Sequence, residues 1–166
     1  VKSRATAAQV SHHLLLSHGL ALQALRAAGC KSQLGIVLNL SPVHAATASA
    51  ADLARARLED GRGLRWYLDP LCHGRYPVDV WAALGADAPE VRAGDLDSIA
   101  APLDFLGINY YSEDAVRADP AHVDGGRSVP RGYAETHMDW QGVPEGLGRL
   151  LRWSAKEIPG LPLYIT

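Results

Sequence analysis

The sequence predicts an α/β fold in which parallel strands are joined by helices. Three observations carry this reading. Short apolar runs read as strands at residues 34–40, 105–111 and 163–166. Segments with helical spacing or high helix propensity lie between them. Strands separated by helices pair in parallel through right-handed crossovers.

Each element has its own local reason. Residues 5–28 form an alanine-rich segment in which Val10, Leu14, Leu22 and Leu25 recur near helical spacing, and Gly29 supplies a stop. Leu34-Gly35-Ile36-Val37-Leu38-Asn39-Leu40 is an apolar run bounded by polar residues and Pro42, as a buried strand requires. Residues 49–59 read as helix, because 50–56 have high propensity and Asp52 suits a first turn. Arg62-Gly63 reads as a chain turn. Residues 66–76 have no clear period and contain Pro70 and Gly74, so they read as loop. Pro77 opens a short helix over Val78–Leu84, and another starts near Asp95. After the strand at 105–111, residues 113–145 are polar and rich in Gly and Pro. A loop of that length is functional or disordered. A helix over 147–156 and a strand from Leu163 to Thr166 complete the series.

Composition narrows the class. The chain has 166 residues, 48% hydrophobic and 20% charged, with net charge −2. That fits one soluble domain, residues 1–166, and offers no electrostatic footprint for nucleic acid or an anionic membrane. The longest apolar run falls far short of the ~20 residues that span a bilayer. Val1-Lys2-Ser3-Arg4-Ala5-Thr6 is not a signal peptide. The missing start methionine reads as a cut end, which would hide any targeting segment. Cys30 and Cys72 are far apart and outside any C-x-x-C pair. They read as free thiols in a reducing, cytoplasmic setting. His12, His13 and His18 lack the i, i+4 pairing of a helical zinc site, so no metal and no cofactor is expected.

Strand alternation sorts the polar residues. Gly35, Val37 and Asn39 share one face of the first strand. Phe105, Gly107, Asn109 and Tyr111 share one face of the second, leaving Leu106, Ile108 and Tyr110 to pack against helices. Glycine inside and amides at the C-terminal mouth suit a (β/α)8 barrel, and equally an open doubly wound sheet.

A resemblance decides between them. His12-His13-Leu14-Leu15-Leu16-Ser17-His18-Gly19, Gly35 to Leu40, Tyr67-Leu68-Asp69-Pro70 with Gly74-Arg75-Tyr76-Pro77, Asp104 to Tyr111, Trp140 with Pro144-Glu145-Gly146-Leu147, and Leu163-Tyr164-Ile165-Thr166 occur in order along the chain. Together they resemble the family-1 glycoside hydrolases, which include bacterial β-glucosidases. The resemblance implies a partial (β/α)8 TIM barrel, roughly helix 4 through strand 7. It implies retaining hydrolysis of β-glucosides and cello-oligosaccharides by the intact protein, with a small-molecule substrate and no cofactor.

In that family the acid/base glutamate lies in an Asn-Glu-Pro motif, which would fall before Val1. The nucleophile lies in Thr-Glu-Asn-Gly, and this chain stops at Thr166. No catalytic residue is therefore assigned within the chain, and the fragment alone is expected to be inactive. The position after Thr166 is expected to share a mouth-facing side with Leu163 and Ile165. Two departures stand out. Cys72-His73 replaces an aromatic-Arg pair, and Met138-Asp139-Trp140-Gln141 stands where the family has Met-Gly-Trp-Glu. Both bear on the leaving-group side.

The resemblance also assigns supporting residues. Tyr111 resembles the tyrosine that hydrogen-bonds the nucleophile, Asn109 the asparagine near the acid/base and sugar, and Trp140 the tryptophan on the aglycone side. Asn39 has a similar part on the fifth strand. The residues by themselves leave other readings open: a core tyrosine, strand-ending amides and a packing tryptophan. Glu113 and Asp114 are the best internal carboxylates and read as a solvated loop pair. A non-catalytic sugar-binding remnant and an unrelated open α/β domain are the alternative functions. The oligomeric state of the intact protein is left open. An incomplete barrel exposes strand edges and apolar faces, so the isolated piece is expected to associate.

Overall fold

A computed structural model describes residues 3–166. Val1 and Lys2 of the N-terminal reading lie outside the described residues. Helix α1, Arg4–Ala27, starts at Ser3, whose side chain accepts from Thr6 N–H. Strand β1, Gly35–Asn39, leads into a short strand β2, Val43–Ala45. Helix α2, Ala50–Asp60, is capped by Ser49, runs through a π-helical turn at Gly61–Arg65, and continues as α3, Trp66–His73. Helices α4, Val78–Leu84, and α5, Asp95–Ile99, precede strand β3, Phe105–Asn109. Strands β4, Asp114–Ala118, and β5, Gly126–Ser128, come before helix α6, Pro144–Glu157, and strand β6, Leu163–Ile165.

The main sheet is parallel, in the order β1-β3-β6. Its outer face is the apolar one. Leu106 and Ile108 are fully buried with Leu40, Leu64, Leu68, Leu150 and Ile158, between the sheet and helices α3 and α6. A second core joins α1 to α3, α4 and α5 through Leu15, Trp66, Leu71, Tyr76, Val80 and Ile99. There Trp66 stacks on Tyr76 with ring centroids 4.3 Å apart, and its indole N–H donates to Ser11 Oγ. His12 is buried between the Tyr76 hydroxyl, at 2.9 Å, and the Asp95 carboxylate, at 3.1 Å. This histidine is a strut between α1, the loop after α3 and α5.

Four sequence expectations are corrected. Residues 66–73 are helix rather than loop, and Arg62-Gly63 lies in the π-helical turn rather than in a reversal. Burial of Trp66, Leu68 and Leu71 outweighs the proline penalty at Pro70. On α1 the buried stripe is Ala8, Ser11, His12, Leu15, Gly19 and Leu22, whereas Val10, Leu14 and Leu25 are exposed. The helix packs so closely on α5 that Gly19 lies against the Ser98 backbone, where a Cβ would meet Ser98 O at 2.0 Å. The 113–145 stretch contains two strands. β4 pairs parallel with β2 and antiparallel with β5, giving a second three-stranded sheet.

That small sheet continues the main one beyond its C-terminal edge. β1 and β3 leave side by side, held by Leu40 N–H to Asn109 O and Asp114 N–H to Pro42 O, each 3.0 Å. Asp52 fastens α2 to it, accepting from Ala118 N–H at 2.8 Å and from the Thr47 hydroxyl at 2.7 Å. Among the described residues no helix is long and apolar enough to cross a membrane.

Candidate functional site

The C-terminal ends of the three main-sheet strands meet at one polar cluster. Asn39 and Asn109 are register partners at the tips of β1 and β3. The Asn109 amide N–H donates to Asn39 Oδ1 at 2.9 Å, and Asn109 Oδ1 accepts from the Thr166 hydroxyl at 2.7 Å. One amide thus bridges all three strands through both of its ends. This uses a donor and an acceptor of the same side chain, a combination that an ionised Asp or a Leu cannot offer.

The same register corrects the expected face of β6. Gly107 pairs with Tyr164 and Ile108 with Ile165. Tyr164 therefore shares the Asn109 side, edge-on to Phe105 at 5.2 Å, while Leu163 packs into the outer core. Thr166, two residues beyond Tyr164, continues that side. A one-residue difference in alternation moves the whole set to the opposite face. Lower on the same side, a Cβ on Gly107 would come within 2.7 Å of Val37 Cγ2, so a side chain there would have to displace Val37.

Two residues beyond Asn109, Tyr111 is half exposed, with its ring 5.3 Å from that of Trp140. The structure therefore brings the four predicted residues together in two pairs, Asn39 with Asn109 and Tyr111 with Trp140. Both lie at the C-terminal end of the sheet. Neutral amides, a hydroxyl and two flat aromatic faces suit an uncharged polyol ring.

Behind this surface lies a group that sequence reasoning misread. Glu113 is fully buried, not solvated. Its carboxylate accepts from Arg131, Arg149 and, at 3.0 Å, His44 Nε2. It also lies at the first turn of α6, where a Cβ on Gly146 would come within 2.7 Å of Glu113 Oε2. Burial pushes this carboxyl up, but hydrogen bonds from Arg149, Arg131 and His44 outweigh it and hold the group below the usual glutamate range. Next to it, burial and the Glu113 charge push the Tyr110 phenol up to about 12, and its hydroxyl donates to Val143 O at 2.8 Å. No local motif announces this cluster, because its members are spread from His44 to Arg149. The only hint is a carboxylate two residues past the strand's last aromatic.

The sign of the pH dependence follows. Glu113 has a folded value below its unfolded one. Its contribution is complete above the unfolded value of about 4.3 and is lost as pH falls through the folded value. Replacing Glu113 by Gln should lower the urea midpoint at pH 7. It should also flatten the decline of that midpoint as pH falls below the unfolded value of about 4.3. An unchanged slope in urea titrations at several pH values would refute this.

Comparison with known proteins fixes the family. The profile of Glycosyl hydrolase family 1 matches residues 1–166.

The chain belongs to glycosyl hydrolase family 1.

Beta-glucosidase A of Acetivibrio thermocellus is 37% identical over 156 residues, 91% of this chain and 35% of that protein. The crystal structure of a beta-glucosidase from Exiguobacterium marinum superposes with TM-score 0.88 at 37% identity, covering 93% of this chain and 36% of that one. The virulence factor SghA of Agrobacterium tumefaciens, in complex with its substrate analog salicin, gives TM-score 0.91 at 30% identity, covering 99% and 37%. The chain thus spans about a third of the length of the relatives it matches. In this family-1 chain the buried Glu113 is paired with the Arg131 and Arg149 guanidinium groups and hydrogen-bonded to His44, and Glu145 accepts from the Tyr133 hydroxyl. Hydrogen bonds hold both carboxyls below the usual glutamate range.

Proposed function

We propose that this chain is the central third of a retaining β-glucosidase, from the fourth helix through the seventh strand of an eight-stranded barrel. One observation carries the reading: a parallel three-stranded sheet whose C-terminal tips gather Asn39, Asn109 and Thr166 in a family-1 chain. Retaining hydrolysis uses two carboxyl groups about 5–5.5 Å apart, one as nucleophile and one as proton donor and then base. In this reading both come from parts of the protein outside this sequence, and the chain alone is inactive. Its own contribution is support. The Tyr111 phenol donates to the nucleophilic carboxylate and keeps it ionised and aimed. Asn109, held from both sides, presents its amide toward the sugar and the acid/base group. Trp140 offers its indole face to the leaving group. The two free cysteines fit a cytoplasmic protein.

The test is a chimera. This chain replaces the matching third of the Acetivibrio thermocellus enzyme, which keeps both of its own catalytic carboxylates. Hydrolysis of an aryl β-glucoside by the chimera, and none by the 166-residue chain alone, is the expected result. Turnover by the isolated chain would mean an internal acid pair and would overturn the reading, as would an inert but folded chimera. In the active chimera, Tyr111→Phe should lower kcat roughly 10- to 100-fold with little change in KM. That corresponds to one hydrogen bond to a charged group, about 1.5–3 kcal/mol.

A further inference from the structure

The Tyr111–Trp140 pair has an attachment that its position alone does not explain. Residues 134–142, which carry Trp140, form an exposed turn closed on itself by Gly142 N–H to Ala134 O and Thr136 N–H to Trp140 O. No residue of that turn is buried. Such a segment has little apolar packing to fix its place and would open locally at small cost. Yet its indole stands 5.3 Å from the Tyr111 ring.

A polar chain supplies the missing constraint. Gln141, next to Trp140, accepts from the backbone N–H of Arg131 at 2.8 Å. The Arg131 guanidinium is bound by the Glu113 carboxylate and lies over the Tyr133 ring, 5.4 Å from its centroid. Tyr133 is itself tied to Glu145 on α6. Glu113, two residues from Tyr111, is anchored by Arg149 of α6 and His44 of β2. Both members of the aromatic pair therefore trace back to one buried carboxylate. Tyr111 reaches it through two residues of backbone, and Trp140 through Arg131 and Gln141.

We propose that Glu113 is a positioning residue that sets the distance between Tyr111 and Trp140 by holding Arg131, and with it the Trp140 turn, against α6 and β2. This rests on reading that pair as the leaving-group wall of a β-glucosidase. The consequence is selectivity. A wall fixed by a charged clamp admits flat aryl or glycosyl leaving groups of one thickness, and loosening the clamp relaxes the choice.

The test uses the 166-residue chain labelled with 5-fluorotryptophan, with the Trp140 resonance assigned through Trp140→Phe. In Glu113→Gln, which keeps shape and removes charge, the Trp140 fluorine resonance should shift toward that of free fluorotryptophan and sharpen. Those of Trp66, Trp81 and Trp153 should stay in place. Arg131→Gln, a partly exposed site that leaves Glu113 bound by Arg149 and His44, should produce the same selective shift. Glu113→Asp should restore part of the parent position. A Trp140 resonance unmoved by both neutral variants overturns the proposal. So does a common shift of all four tryptophans in Arg131→Gln, because that marks a general structural role. If Glu113→Gln does not fold, Arg131→Gln decides. No sugar is present, so an inert chimera would reject the β-glucosidase reading while leaving this result standing.

Discussion

Leu106→Ala should cost about 3 kcal/mol of stability, within the roughly 2–5 kcal/mol range for burying a cavity in place of a leucine side chain. Leu106 is fully buried on the central strand of the main sheet and packs into the cluster that joins the sheet to α3 and α6. Both neighbours of β3 are paired to it, so the strand cannot move to fill the void. With a urea dependence of about 2 kcal/mol per molar, the midpoint should fall by roughly 1.5 M. Leu14→Ala is the control. That side chain is 65% exposed, and its loss should change stability by less than about 0.5 kcal/mol. Equal effects in urea melts would contradict the burial of Leu106 and the exposure of Leu14.

Gly19→Ala should be nearly as damaging, although alanine is the better helix former by about 1 kcal/mol. A Cβ at position 19 would stand 2.0 Å from Ser98 O and 2.6 Å from Ser98 C. Those atoms are backbone, so α1 and α5 must separate to admit it. Overpacking costs typically 1–3 kcal/mol and more where backbone must move. A net loss of about 2 kcal/mol or more is expected. Gly148→Ala on α6 should have the opposite sign, since its Cβ would meet only the Arg152 side chain, at 3.5 Å. It should gain up to about 1 kcal/mol from propensity. Thermal or urea midpoints of the two variants, moving in opposite directions, are the measurement. A stabilised Gly19→Ala would contradict the close helix approach.

Much of this was legible because it is local. The run from Leu106 to Tyr110 alternates apolar and small or polar residues, and that alternation already assigns Leu106 and Ile108 to the helix side and Asn109 to the mouth side. Asp52 and Pro77 announce helix starts by chemistry that acts within one turn, and the observed α2 and α4 begin at Ala50 and Val78. The long polar stretch of 113–145 hid two strands, because β4 and β5 complete a sheet with β2, some seventy residues earlier in the chain. The helix at 66–73 was hidden by Pro70, whose local cost is outweighed by contacts with distant residues. The face of β6 went astray because four residues cannot fix an alternation without their partner strand.

What the amino-acid order determined by itself is the alternation of helices and parallel strands and the position of amides and aromatics at strand ends, since propensity, capping and side-chain period act over a few residues. Only the tertiary structure decided that Asn109 links Asn39 to Thr166, that the α1 stripe through Ser11, His12, Leu15 and Gly19 is its buried one, and that Glu113 is an anchored anion and not a solvated acid. Those outcomes depend on groups many residues apart arriving within about 3 Å of each other, and hydrogen bonding and desolvation at that range leave no trace in a local pattern.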